Sequence, residues 1–436
     1  MPASDHISLT MKLKTIGSLL LLFCSTLSGI AQEKIIIVDE GLWQTDNGRL
    51  TYFADGQIVS NQWFRDINGR KLGDTPNDIL QISDNLIAIA LNWSNIVQFI
   101  TPEGKAVAAT EDVPNNRKLT TDGRYLYATS FAHEVGINGG YRQFTKGYVA
   151  KIDLETFGVV QALEVGYEPE GIAYYNGHLF VANTGSYAFQ EDHEYETTIS
   201  VIDAENLTLK RNVDTWQINL YGKMSQSGKY LCINSPGDYY IMEPATIIFD
   251  CEKALAGAAD ADCFVTLPYS AKANCTDMNG NFYAAGARFS YTSGTDEYNY
   301  VVINPKEVIE SKGESGVYDS LPGEVKSGLE AIENLYAIYV NPYTGYIYAT
   351  DSGEYTGSGT LYQWTPQGSY TGKFKTYINP AHFLALPPDG KFDSVETIEA
   401  NIWEEDGPIY NLQGMPVRNP IPGELYIRAG NKFIIK

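Results

Sequence analysis

Over most of its length the chain alternates apolar and polar residues at period two, in short runs separated by polar turns. That spacing puts successive side chains on opposite faces of a strand and predicts half-buried β-strands rather than helices. One arrangement recurs: a first strand, a tight turn of Asp-Gly, Asn-Gly, Ser-Gly, Thr-Gly or Ser-Asp-Asn type, and a second strand ending on a small residue. It is found at Ile79–Leu91, Lys118–Thr129, Gly171–Ala182, Gly222–Asn234, Asn274–Ala285 and Ala337–Thr350. These turns are hairpin chemistry. Each such hairpin is followed by a loop and a second hairpin, as at Tyr148–Asp153 with Val159–Val165 and Ile199–Asp203 with Leu209–Val213. Four strands per unit, repeated every ~40–60 residues, is the arithmetic of a β-propeller.

A seventh unit is split between the ends of the ring. Residues 35–38, 49–54 and 57–63 supply three strands, and Ala381–Leu386 supplies the innermost one. Closure by both ends removes open sheet edges. The expected fold is therefore all-β, a seven-bladed β-propeller over residues 34–388. Short helices are expected only at Glu252–Ala258 and Pro305–Glu310. Residues 389–408 read as a linker, and 409–436 as a short C-terminal β segment.

Before the ring, residues 1–31 read as a signal peptide. Lys12 and Lys14 precede a short apolar stretch, Ile16–Phe23, and cleavage after Ala31 fits the small residues around it. Residues 1–10 do not fit that pattern, so Met11 is the expected start. Cys24 follows the bulky Phe23, whereas a lipobox places a small residue there. The apolar stretch is too short to span a bilayer, and no transmembrane span is expected.

Composition narrows the partners. A net charge of −22 argues against nucleic acid, whose phosphates need clustered Lys and Arg. It suits a soluble exported protein, with a cationic ligand or Ca²⁺ as further readings. The acidic run Glu191–Glu196 offers oxygen ligands of the kind Ca²⁺ takes, but it lacks EF-hand spacing and reads first as a solvated charge run. No cofactor is expected. Beyond Cys24, the cysteines are Cys232, Cys251, Cys263 and Cys275. Cys251 and Cys263 bracket a short loop and form the natural disulfide pair in an oxidising compartment; four buried thiols are the alternative.

Propeller topology assigns the loops to faces. The turns between first and second strands are short, so their face offers few side chains, as around Tyr125 and His178. Loops between second and third strands share the opposite face and are mostly long: Glu40–Gly48, Ser130–Gly147, Asn183–Thr198, Asn234–Pro244, Gly286–Asn299 and Asp351–Thr360. Long loops on a rigid scaffold are where function concentrates. Their aromatic, amide and charged residues give a candidate ligand site: Trp43, Asn92, Trp93, Phe131, Asn183 and Tyr187 from the first half of the ring. The second half adds Asp238, Tyr239, Arg288, Tyr291, Asp351 and Tyr355. Stacking on aromatic faces suits a flat ligand or a sugar.

Catalytic patterns are absent from the sequence. The five histidines form no Ser–His–Asp order or HExxH element, and there is no P-loop or GxSxG. The expectation is a binding protein rather than an enzyme. A metal-assisted hydrolase of lactonase type, with Glu40, Asn183, Asn234 and Asp351 around a channel metal, is the alternative. A protein-interaction scaffold is a third reading.

Several segments together carry a family resemblance: Asp39-Glu40-Gly41, Asn68–Asp74, Ala90–Asn95, Val340–Asp351 and Tyr362–Gly368. Their order resembles surface-layer-type, YVTN-like seven-bladed propellers. Within that group the chain is similar to outer-membrane surface proteins of gut anaerobes that capture cobalamin. The resemblance implies an exported, surface-associated or secreted protein that binds a corrinoid and delivers it to an outer-membrane transporter. The tail, through Tyr410, Asn411, Gly414, Gly423, Tyr426, Ile427 and Lys436, resembles a type IX secretion sorting signal.

Overall fold

The computed structural model describes residues 33–132, 145–186, 188, 193–238, 241–290 and 295–388, together with five short strands beyond them. Seven four-stranded antiparallel sheets form a closed ring. Blade 1 is the split one: Pro380–Ala385 is innermost, followed outward by Lys34–Asp39, Arg49–Ala54 and Gln57–Ser60. Blades 2 to 7 follow in chain order, their first strands being Pro76–Ser83, Asn116–Thr121, Pro169–Tyr175, Ser225–Ser227, Ala273–Thr276 and Leu335–Val340. The six repeated hairpins seen in the sequence are the first and second strands of these blades. Ring closure is also as expected, with Ile35–Asp39 paired to Pro380–Ala385.

Burial follows position in the blade. Second strands such as Leu86–Leu91 and His178–Asn183 are buried over all but their first residue. The fourth strand of blade 3, Val159–Glu164, is almost wholly exposed. Core clusters lie between the blades; one joins Phe180 and Ile199 of blade 4 to Ile233 and Phe249 of blade 5. Amides bridge blades as well. Asn92, at the end of blade 2's second strand, donates from Nδ2 to Asn115 Oδ1 (2.5 Å) and Asn116 O (3.0 Å) at the entry to blade 3.

Helices form where the sequence marks them, at Cys251–Leu255 and Pro305–Ser311. Asp250 caps the first by accepting from the amides of Glu252 and Lys253. Asn304 caps the second, with Pro305 in its first turn. Two further helices, Trp63–Asn68 and Val325–Glu330, were not anticipated. The strand expected at 57–63 stops at Ser60, because Trp63 and Phe64 turn inward as the buried face of a helix, with Trp63 stacked on Tyr52 at 4.7 Å. Gly69 ends that helix in the left-handed region, φ 67°.

Two other expectations are corrected. Gly286–Asn299 is not a loop: Phe282–Ser290 and Thr295–Ile303 pair throughout as an extended hairpin. Its aromatic and β-branched residues favour strand over loop. Nor do Cys251 and Cys263 form a disulfide; both are buried free thiols, as are Cys232 and Cys275. Cys251 packs in the cluster between blades 4 and 5, and Cys263 Sγ turns to Ala259 O at 3.4 Å. Burial pushes both thiols up, which disfavours the reactive thiolate.

At the C-terminus, Glu396–Ile398, Ile409–Tyr410, Pro416–Val417, Leu425–Arg428 and Asn431–Ile435 form a separate five-stranded sheet. It draws one strand, Glu396–Ile398, from the segment read as a linker. The signal-peptide residues lie outside the described part of the chain. No helix among the described residues is long and apolar enough to cross a membrane.

Candidate functional site

A cavity of about 640 Å³ opens at the mouth of the central channel. Its wall comes from the opening residues of the first strands and from the connections leading into them, among them Asn77, Lys118, Glu170, Lys223, Asn274, Tyr336 and His382. All seven blades therefore contribute. First strands begin on the face where blade-to-blade connections and second-to-third loops lie, so the cavity sits on the long-loop face. The blade 5 loop adds Pro236 and Ile241–Pro244, and the blade 1 loop adds Glu40. Exposed apolar side chains stand on the same face, including Trp43, Trp216, Tyr221, Ile241, Tyr298 and Tyr355.

The wall is charged. Arg117 forks onto the buried Glu170, with Nε to Oε2 at 2.7 Å and Nη2 to Oε1 at 3.1 Å. Its guanidinium also lies 4.8 Å from the centre of the Phe131 ring. Lys118 donates to Asn77 O (2.8 Å) and Asn77 Oδ1 (2.5 Å), with Glu170 Oε1 at 3.7 Å. Burial pulls the Lys118 ammonium below its ordinary value, and the nearby carboxylates of Glu170 and Asp78 oppose that shift. Across the channel Glu40 accepts from Tyr336 Oη at 2.5 Å, and its Oε1 lies 3.3 Å from His382 Nε2. Burial pushes Glu40 up, but the hydrogen bonds and positive charge around it more than offset this, leaving the carboxyl below its usual range. Burial and then the charge of Lys118 push His382 down. Four cations (Arg117, Lys118, Lys223, Lys272) face three carboxylates (Glu40, Glu170, Glu243). A locally balanced to positive cavity in a chain of charge −22 is a local reversal of the overall field.

None of the ligand-site residues expected from sequence that are described lines this cavity. Phe131 is buried beneath Arg117, and Tyr355 meets Tyr336 edge-on at 6.0 Å. Asp238 Oδ1 accepts from the amides of Ile241 and Met242, shaping the loop that reaches the cavity. Trp43 and Trp93 form an edge-to-face pair at 5.2 Å away from the cavity wall. Asn92 and Asn183 are buried fold determinants; Asn183 accepts from Gly166 N and donates to Thr198 and Ser200. Asp351 caps a turn through the amides of Asn334 and Gly353. Tyr187, Tyr239 and Tyr291 lie outside the described residues, and of Arg288 only its place in the blade 6 hairpin is described.

The residues missed are the charged openings of the inner strands. A signal was present: aligning the repeated hairpins puts Lys118, Glu170, Lys223, Lys272, Tyr336 and His382 at or just before the start of the first strand. Of the four groups considered for a channel metal, Glu40 and Asn234 line the cavity. Asn183 and Asp351 do not, each being tied into the fold. Among the described residues there is no cluster of three or more His, Cys, Asp or Glu able to hold a metal.

No family model matches the chain, and no curated protein does. Many solved structures are similar in fold. Hydrazine synthase of Kuenenia stuttgartiensis matches with a TM-score of 0.51 at 16% identity, over 73% of this chain and 91% of that one. Apo AztD of Citrobacter koseri gives 0.47 at 12% identity, over 83% and 99%. A protein of unknown function from Desulfotomaculum acetoxidans gives 0.49 at 13%, over 81% and 98%. At these identities the likeness is one of fold, and function has to be argued from the site.

Proposed function

We propose that the protein is an exported binding propeller that captures a large small molecule at the mouth of its central channel. The observation that carries this is the cavity itself: about 640 Å³, walled from all seven blades, and rimmed by exposed aromatic and apolar side chains on the long-loop face. Such a volume is that of a ligand pocket rather than a packing defect. A corrinoid is the leading candidate, supported by the resemblance of the ring segments to cobalamin-capturing propellers and by the signal-peptide pattern. Delivery to an outer-membrane transporter belongs to the same reading, and the exposed rim would meet that partner.

Isothermal titration with cyanocobalamin, cobinamide and ferric siderophores tests the proposal. Micromolar or tighter binding to one of them is expected. Binding to none would remove it.

A further inference from the structure

Two features of the cavity narrow its ligand further. The first is positive charge left without a protein partner. Arg117 and Lys118 are engaged by Glu170 and Asn77. Lys223 and Lys272, by contrast, have no carboxylate within ion-pair distance among the described residues. They precede the first strands of adjacent blades, and Asn274 Nδ2 donates to Lys223 O at 3.2 Å, which holds the two segments together. Lys223 Nζ lies 6.0 Å from the Tyr339 ring of blade 7. That ring stacks on Phe383 at 5.1 Å, the neighbour of His382. The Lys223 ammonium therefore projects across the channel toward the wall that carries His382.

The second feature is the state of His382. Its Nε2 faces one oxygen of Glu40, whose other oxygen takes the Tyr336 hydroxyl. An ionised carboxylate only accepts, so the imidazole proton belongs on Nε2 and Nδ1 keeps its lone pair. Nδ1 has no protein partner among the described residues, and His382 lines the cavity. The charged groups acting on the ring are Lys118, Glu40 and Asp78; burial and Lys118 favour the neutral form. Nδ1 is open to the cavity rather than buried, so a ligand held there can donate to it.

We propose that the cavity recognises its ligand by an anionic group, carboxylate or phosphate, whose charged oxygens meet Lys223 and Lys272 while a hydroxyl or N–H of the same molecule donates to His382 Nδ1; small anions serve as its probes. This rests on the cavity being a ligand site and specifies what that site recognises. Isothermal titration with citrate, tricarballylate (citrate without its hydroxyl) and glycerol 3-phosphate tests it. Citrate is expected to bind more tightly than tricarballylate by about tenfold. The Lys223→Ala/Lys272→Ala double variant should weaken both by at least about tenfold. His382→Ala should erase the preference for citrate and leave tricarballylate nearly unchanged, which a general loss of folding would not do. Tighter binding of glycerol 3-phosphate than of citrate would assign the anion as phosphate. No binding of any probe at millimolar concentration, or equal binding by wild type and the double variant, overturns the inference. Cyanocobalamin titrated into the same proteins separates the two readings: equal binding to wild type and double variant, with no anion binding, keeps ligand capture and removes the anion site.

Discussion

Asp39 closes the second strand of blade 1 with no exposure to solvent, accepting from Thr51 Oγ1 at 2.6 Å and from the Tyr377 amide at 3.2 Å. Burial outweighs both hydrogen bonds and the charge of Arg49, and raises its pKa to about 8. The folded state then holds a proton that the unfolded chain releases near pH 4, so this group's contribution to stability falls as pH rises from about 4 to about 8. The slope is about 1.4 kcal/mol per pH unit within that window. Asp39→Asn, which keeps the shape and cannot ionise, should flatten the fall; denaturant midpoints at pH 5 and pH 8 check it. An unchanged pH slope in the variant would show that Asp39 ionises freely in the fold. Nothing in the sequence distinguished Asp39 from an ordinary strand-end carboxylate, because its shift arises from burial, and the ring that buries it includes Tyr377, brought from the far end of the chain. His382 was hidden for the same reason: its partner Glu40 is distant in sequence, and only closure of blade 1 brings them together.

At the scale of elements, period-two alternation and hairpin turns were enough to locate the strands, because each strand's pattern is set by its own two faces. The long-loop face was legible too, since loop length is a direct property of the sequence. What was not legible is which loop residues reach the channel. Aromatic and amide side chains in loops serve binding and packing equally, and here Phe131, Asn92, Asn183 and Asp351 serve packing. The extended blade 6 hairpin and the helix at Trp63 were missed because short apolar runs fit strand, helix or loop until tertiary packing selects among them. Asn92 makes the distinction testable. Its Nδ2 joins blades 2 and 3, and Asn92→Ala leaves Asn115 and Asn116 acceptors short of a donor. A loss of about 1–3 kcal/mol is expected, read as a lower midpoint in urea. Ligand affinity, measured where the variant is still folded, should stay within about twofold of wild type, because Asn92 does not line the cavity. A large affinity loss at unchanged stability would return Asn92 to the binding site.

For the whole molecule the decisive element is the last strand of the ring. Pro380–Ala385 pairs with Lys34–Asp39 and places Phe383 and Ala385 in the cluster that joins blades 1 and 7. It also carries His382 into the cavity wall. A chain ending at residue 378 would leave the Lys34–Asp39 edge unpaired and strip the core cover from Ile35 and Ile37, both fully buried in the intact ring. An open apolar edge invites association. Loss of Phe383 packing alone is of the order of 3–5 kcal/mol, a large part of the stability of most domains. That truncation should therefore aggregate, or unfold at a much lower temperature. A chain ending at Pro388 keeps the closing strand and removes only the segment beyond it and the separate C-terminal sheet. It should stay monodisperse, melt within a few degrees of the full chain and retain ligand binding. Size-exclusion chromatography, thermal unfolding and titration of the two truncations are the measurement. If the chain ending at Pro388 collapses like the shorter one, the C-terminal sheet is part of the ring's stability and not an appended unit. If instead the chain ending at residue 378 folds and binds as the full chain does, closure by this strand is dispensable and the cavity owes nothing to His382.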